Sequence, residues 1–133
     1  MPTLSEFIVT IGLRYDEAED QTYTVFRFET VRQFRVYRYD IDVDDELDRK
    51  GKVVRFVIKG VSPPRQDLAA SGPAMHEVAY PALEGTVRLQ IAGAKQSGEC
   101  LIRASATKVK MLEDISADFV EIRIDDKVEI IRA

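Results

Sequence analysis

The stretch Phe7-Ile8-Val9-Thr10-Ile11-Gly12-Leu13-Arg14-Tyr15 decides how the rest of the chain is read. Phe7, Val9, Ile11, Leu13 and Tyr15 fall on one face of an extended segment, with Glu6, Thr10 and Arg14 on the other. A period of two sets one side-chain row on a core and the other toward water. The alternation returns at Val54, Phe56 and Ile58 against Arg55 and Lys59. It recurs at Val87, Leu89 and Ile91 against Thr86, Arg88 and Gln90, and at Val120, Ile122 and Ile124 against Glu121 and Arg123. No i, i+3, i+4, i+7 stripe is sustained, and the best helical candidate, a short turn around residues 45–49, is too brief to stand alone.

The pattern predicts about nine strands, over residues 5–15, 21–30, 32–43, 52–61, 74–80, 85–92, 99–111, 118–124 and 127–132. The breaks have chemical causes. Residues 16–20 are polar, and residues 44–51 are charged and end in Gly51. Residues 62–73 carry Pro63-Pro64 and Gly72-Pro73, and proline cannot donate to a ladder. Residues 93–98 read as a flexible hairpin connection. Short strands at this spacing predict an all-β fold, a two-sheet antiparallel β-sandwich, with a closed β-barrel as the alternative. At the C-terminal end, a three-residue loop Asp125-Asp126-Lys127 would pair Ile124 with Val128 and Ile122 with Ile130. A two-residue turn would set those isoleucines beside charges, so the three-residue hairpin is expected.

The chain has 133 residues, 45% apolar and 32% charged, which suits one globular domain spanning 1–133 and argues against disorder. Halves on either side of residues 62–73 would each be marginal alone. The 19 Lys and Arg against 23 Asp and Glu give a net charge of −4, so no general attraction to nucleic acid or anionic membrane follows. One cysteine, Cys100, excludes an intrachain disulfide framework, and one histidine, His76, excludes any site needing two. The alternating N-terminal pattern is unlike a signal peptide, and no apolar run approaches a membrane span. A reducing cytoplasm is the expected compartment.

Three constellations carry some chemistry. Arg27, Arg32, Arg35 and Arg38 interleave with Phe26, Phe28, Phe34, Tyr37 and Tyr39, a mixture that could track phosphates and stack bases. The parity of Tyr37, Tyr39, Ile41 and Val43 instead reads as a buried face, with the arginines in cross-strand ion pairs. Asp40, Asp42 and Asp44 share one side of a strand, as hard-cation ligands would. Asp45 stands where an EF-hand loop needs glycine, however, so the segment reads as a solvated strand end without a divalent site. Cys100 and His76 form the one conceivable thiol–imidazole pair, but each reads more simply as packing, Cys100 buried and His76 half-exposed.

No catalytic, cofactor-binding or metal-ligating set emerges, and the reading leans away from an enzyme. It favours a non-catalytic interaction or assembly module that associates with itself or another protein, because Val53, Val57 and Val61 make one strand apolar on both faces. The alternative is a small-ligand pocket, with Tyr15, Tyr37, Tyr39 and Tyr80 supplying polar tips on apolar walls. A single-stranded nucleic-acid binder and a carboxylate or cysteine enzyme rank below these. Residues 62–73 are long enough to serve as a lid, though an ordinary crossover needs the same length.

Overall fold

Alternating segments become strands here because each can turn one row of side chains into a shared interior. The computed structural model describes residues 6–34, 40–50, 52–62, 72–115 and 117–133, with nine strands and no helix among them. These are β1 (Phe7–Asp16), β2 (Gln21–Phe34), β3 (Asp40–Asp48), β4 (Val53–Ser62) and β5 (Gly72–Pro81). β6 (Gly85–Ala92), β7 (Ser97–Ala104), β8 (Val109–Glu113) and β9 (Val120–Ile131) complete the set. The expectations placed on residues 35–39 and 63–71, among them Arg35, Tyr37, Arg38, Tyr39 and the lid, lie outside the described residues.

Hydrogen bonding runs in the order β8-β7-β6-β4-β3-β5-β2-β1-β9. Between β3 and β5 it shrinks to one parallel bridge, Asp40 to Met75. The ribbon divides at this corner into a layer of five strands, β8-β7-β6-β4-β3, and a layer of four, β5-β2-β1-β9. The result is a two-sheet sandwich. It is not closed into a barrel, so that alternative is set aside. Most neighbours pair antiparallel, while β1 with β9 and β4 with β6 pair parallel.

The core lies between the layers. Phe56 of the five-stranded layer meets Phe26 and Phe28 of the other edge-on, with ring centroids 5.1 and 4.8 Å apart. Val9, Ile11, Leu89, Ile91 and Ile102 are fully buried around them. Each such side chain contributes roughly 1.5–3 kcal/mol by leaving water. Thr24, also fully buried, accepts the Leu83 backbone N–H at 3.0 Å, so its hydroxyl is not left unsatisfied.

Three local expectations are corrected. Residues 99–111 form two strands, because Ser105 Oγ accepts the backbone N–H groups of Thr107 and Lys108 at 3.2 and 3.1 Å and turns the chain. Residues 45–48 belong to β3 rather than to a helical turn, since each finds a partner on β4, Glu46 opposite Arg55 and Leu47 opposite Val54. The C-terminal hairpin does not form. β9 continues beside β1, with Ile124 opposite Ile11 and Val128 opposite Leu13. Asp125, Asp126 and Lys127 form a bulge facing Gly12, closed by Lys127 N–H donating to Asp125 Oδ1 at 3.0 Å. Gly12 matters to this bulge, because a Cβ there would sit 3.3 Å from the Asp125 Cβ.

Candidate functional site

Of the tyrosines nominated as ligand contacts, Tyr37 and Tyr39 lie outside the described residues, and Tyr15 and Tyr80 hydrogen-bond to different partners. Tyr15, on β1, donates to Asp20 in the adjoining turn at 2.5 Å, and that hydrogen bond is the main cause of its raised pKa. Tyr80, on β5, stacks edge-on against Phe26 and donates to Asp45 on β3. Its pKa is also raised, first by burial and then by the Asp45 carboxylate. Asp45 and Tyr80 lie equally far along from the Asp40–Met75 bridge, so the hydroxyl stitches the corner where the backbone ladder has ended. The larger clefts among the described residues are lined by other side chains.

The valines behave differently from one another. Val53 is half-buried between Asp48 and Arg88, whereas Val57, opposite Asp44, is exposed on the outer side of β4. Val61 is exposed too, but the bulge after Ile58 sets it opposite the buried Ile41, on the other face from Val57. Val57 lines a shallow cleft of about 460 Å³ with Ala92 and Ser97. A polar row borders it across four strands. Glu46 meets Arg55 at 3.7 Å, Arg55 Nε donates to Gln90 at 3.0 Å, and Gln90 donates to Glu99 at 3.3 Å. This row satisfies itself and presents no convergent, unpaired reactive group.

The outer side of the four-stranded layer carries an ionic cluster. Arg14 lies 2.6 Å from Glu77 and 3.1 Å from Glu129, and Arg27 lies 3.4 and 3.8 Å from the same two carboxylates. The Arg14 hydrogen bond holds the Glu77 carboxyl below its ordinary pKa against the opposing effect of burial, and the same contact raises Arg14. Arg27, read as part of a basic–aromatic stripe, is thus an ion-pair residue, and its neighbours Phe26 and Phe28 are core.

Cys100 and His76 do not meet. Cys100 sits in β7 opposite Leu89, and His76 in β5 against Phe28, in different layers. Burial, helped by Asp114 and Glu99, pushes the Cys100 thiol up to about 12, which makes it a poor nucleophile. The acidic strand finds partners of its own, Asp44 with Lys59 at 2.8 Å and Asp45 with Tyr80. Among the described residues no group of three or more His, Cys, Asp or Glu is arranged to hold a metal.

One feature escaped the sequence reading. Past the bulge, Val128 and Ile130 keep the parity of the buried Val120 and Ile122 but are 42 and 50% exposed, and Ile131, on the other face, is 41% exposed. The strand has β1 on one side and ends the hydrogen-bonding order on the other. Gly12 within an otherwise regular alternation was the available signal, since glycine in a strand often marks a bulge on its partner.

The class defined by this geometry is an open, two-sheet β-sandwich. Comparison with protein-family models, curated proteins and solved structures finds no match. No helix among the described residues is long and apolar enough to cross a membrane.

Proposed function

We propose that this chain is a non-catalytic interaction and assembly module of the cytoplasm that associates with itself. The observation that carries the reading is the apolar run Val128, Ile130 and Ile131, exposed on a strand that ends the sheet order. Monomeric proteins usually blunt such edges with charges, prolines or very short strands, because an open edge templates further pairing. Val57 and Val61 add exposed apolar surface on the other layer. Sedimentation velocity across micromolar concentrations tests the reading directly. A mass of two or more chains that falls on dilution is expected, and one chain's mass throughout would end the proposal.

A second reading, small-ligand binding, draws on the cleft beside Val57, whose volume of about 460 Å³ lies in the usual range for ligands. A compound that raises the melting temperature of the protein, but not of Val57→Trp, would favour it.

A further inference from the structure

Building on the self-association reading, we propose that Val128-Glu129-Ile130 forms the contact, pairing antiparallel with the same residues of a second copy about a two-fold axis at Glu129. The backbone supplies the first argument. Glu17 N–H donates to the Ile131 carbonyl at 2.9 Å, in a parallel register that sets Asp16 beside Ile131. In a parallel ladder this turns the N–H and C=O groups of Glu129 and Ile131 toward β1. Those of Val128 and Ile130 then face the open edge. Arg132 and the Ala133 N–H are both held to Glu17 at 3.3 Å, which draws residues 132 and 133 toward the β1 end rather than over this edge.

Side-chain matching selects the partner and the register. An antiparallel twin can place outward-facing backbone groups opposite each other with the axis at residue 128, 129 or 130. An axis at Val128 sets Ile130 against Asp126 of the bulge, and one at Ile130 sets Val128 against Arg132. An axis at Glu129 pairs Val128 with the second copy's Ile130, twice, and satisfies the N–H and C=O of both residues in each chain. It covers the side chains that are 42 and 50% exposed in one copy.

Charge allows this arrangement. The two Glu129 carboxylates would face each other on the outer side, where like charges normally oppose pairing. Each is already held by its own Arg14 at 3.1 Å and Arg27 at 3.8 Å, so with the two Glu77 carboxylates on the same arginines the pair meets in a balanced set of four carboxylates and four guanidinium groups. The cluster beside the edge contains two arginines and two glutamates, and so offers no net charge to draw an oppositely charged foreign strand.

Three single-cysteine variants, each in the Cys100→Ala background, read the register. Directly opposed non-hydrogen-bonded residues place their Cα atoms about 4.5 Å apart, within disulfide reach. Glu129→Cys should therefore form a disulfide-linked dimer under mild oxidation at least about tenfold faster than Val128→Cys or Ile130→Cys. Ile130→Pro removes an N–H that β1 does not use. It should yield a monomer whose circular dichroism and melting stay near those of the parent. Fastest cross-linking at 128 or 130, or equal rates at all three, overturns the register. A parent of dimer mass that neither cross-links through Glu129→Cys nor dissociates with Ile130→Pro overturns this inference while leaving self-association standing. Capture of a different protein's strand by the same edge overturns the choice of partner, and a parent of one-chain mass overturns both proposals.

Discussion

Arg14 reaches across an entire strand to Glu77. Arg14 belongs to β1 and Glu77 to β5, with β2 between them, yet guanidinium and carboxylate lie 2.6 Å apart. The span is bridged because Arg27 of β2 pairs with the same carboxylate from the intervening strand. The arginine side chain is 16% exposed, so its stem covers sheet surface that would otherwise be wet.

This pair makes stability depend on acid in a definite direction. Glu77 is held below its ordinary value of 4.5, chiefly by Arg14. A depressed carboxyl contributes stability that is fully present above its unfolded pKa and disappears as pH falls through the folded one. Glu77→Gln should thus weaken the protein at neutral pH and flatten that part of the acid limb. Solvent screening at this partly open site keeps the Arg14 and Glu77 coupling near about 0.5–1 kcal/mol in a double-mutant cycle. Urea titrations over a pH series measure both, and a Glu77→Gln acid limb as steep as the parent's would contradict the assignment.

The corner between the layers gives a second expectation. Tyr80→Phe removes the hydroxyl that joins β5 to Asp45 of β3 but keeps the ring against Phe26. A hydrogen bond to a charged group is worth about 1.5–3 kcal/mol, and partial exposure places this one near the lower end. Amide exchange should quicken at residues flanking the Asp40–Met75 bridge more than in β6 or β7. Uniform acceleration would show that the hydroxyl does not secure the corner.

Cys100 should be silent in the native state. Its thiol, pushed from 9.0 to about 12 mainly by burial, holds about a thousandfold less thiolate than an unperturbed one at equal pH. Labelling by a disulfide reagent should follow unfolding, rising through the denaturation transition. The raised pKa favours the folded state up to the unfolded value, and that contribution is lost as pH climbs through the folded one. Prompt labelling without denaturant would refute the assignment.

Gly98 is expected to be intolerant of a single methyl group. A Cβ there would stand 2.6 Å from the Ala117 Cβ and 3.1 Å from Ile115 Cγ1. Gly98→Ala should cost about 1–3 kcal/mol by overpacking. Adding Ala117→Gly vacates the same space and should restore much of the loss. Thermal melts of the three variants decide it, and a double variant no better than the sum of the two singles would locate the cost elsewhere.

Much of the fold was legible because its strands announce themselves by burial on one side. The row from Val9 to Leu13 and the row from Val87 to Ile91 are both core, as their alternation requires. Three places were hidden for a common reason, that the deciding partner is remote or unconventional. The turn after β7 is made by a serine hydroxyl without glycine or proline. Residues 45–48 are held extended by β4. Asp125-Asp126 resembles a turn locally, but the parallel register with β1 makes it a bulge. The candidate surface was legible only in part. Exposed Val57 followed from the double apolar face of β4, but Val61 was moved to the other face by the bulge after Ile58, and the exposure of Val128 and Ile130 depends on the parallel seat of β9 on β1, which no local pattern reports.

The parallel seat of β9 on β1 sets a timetable. Phe7 has Val120 as its register partner, so one flank of β1 stays bare until β9, far downstream in the chain, is made. Contacts between such distant segments are slow to form, and chains dominated by them refold in roughly milliseconds to seconds. A nascent chain halted before β9 would display the Val9, Ile11 and Leu13 row on a strand with an open flank, the kind of surface that chaperones retain and that aggregates recruit.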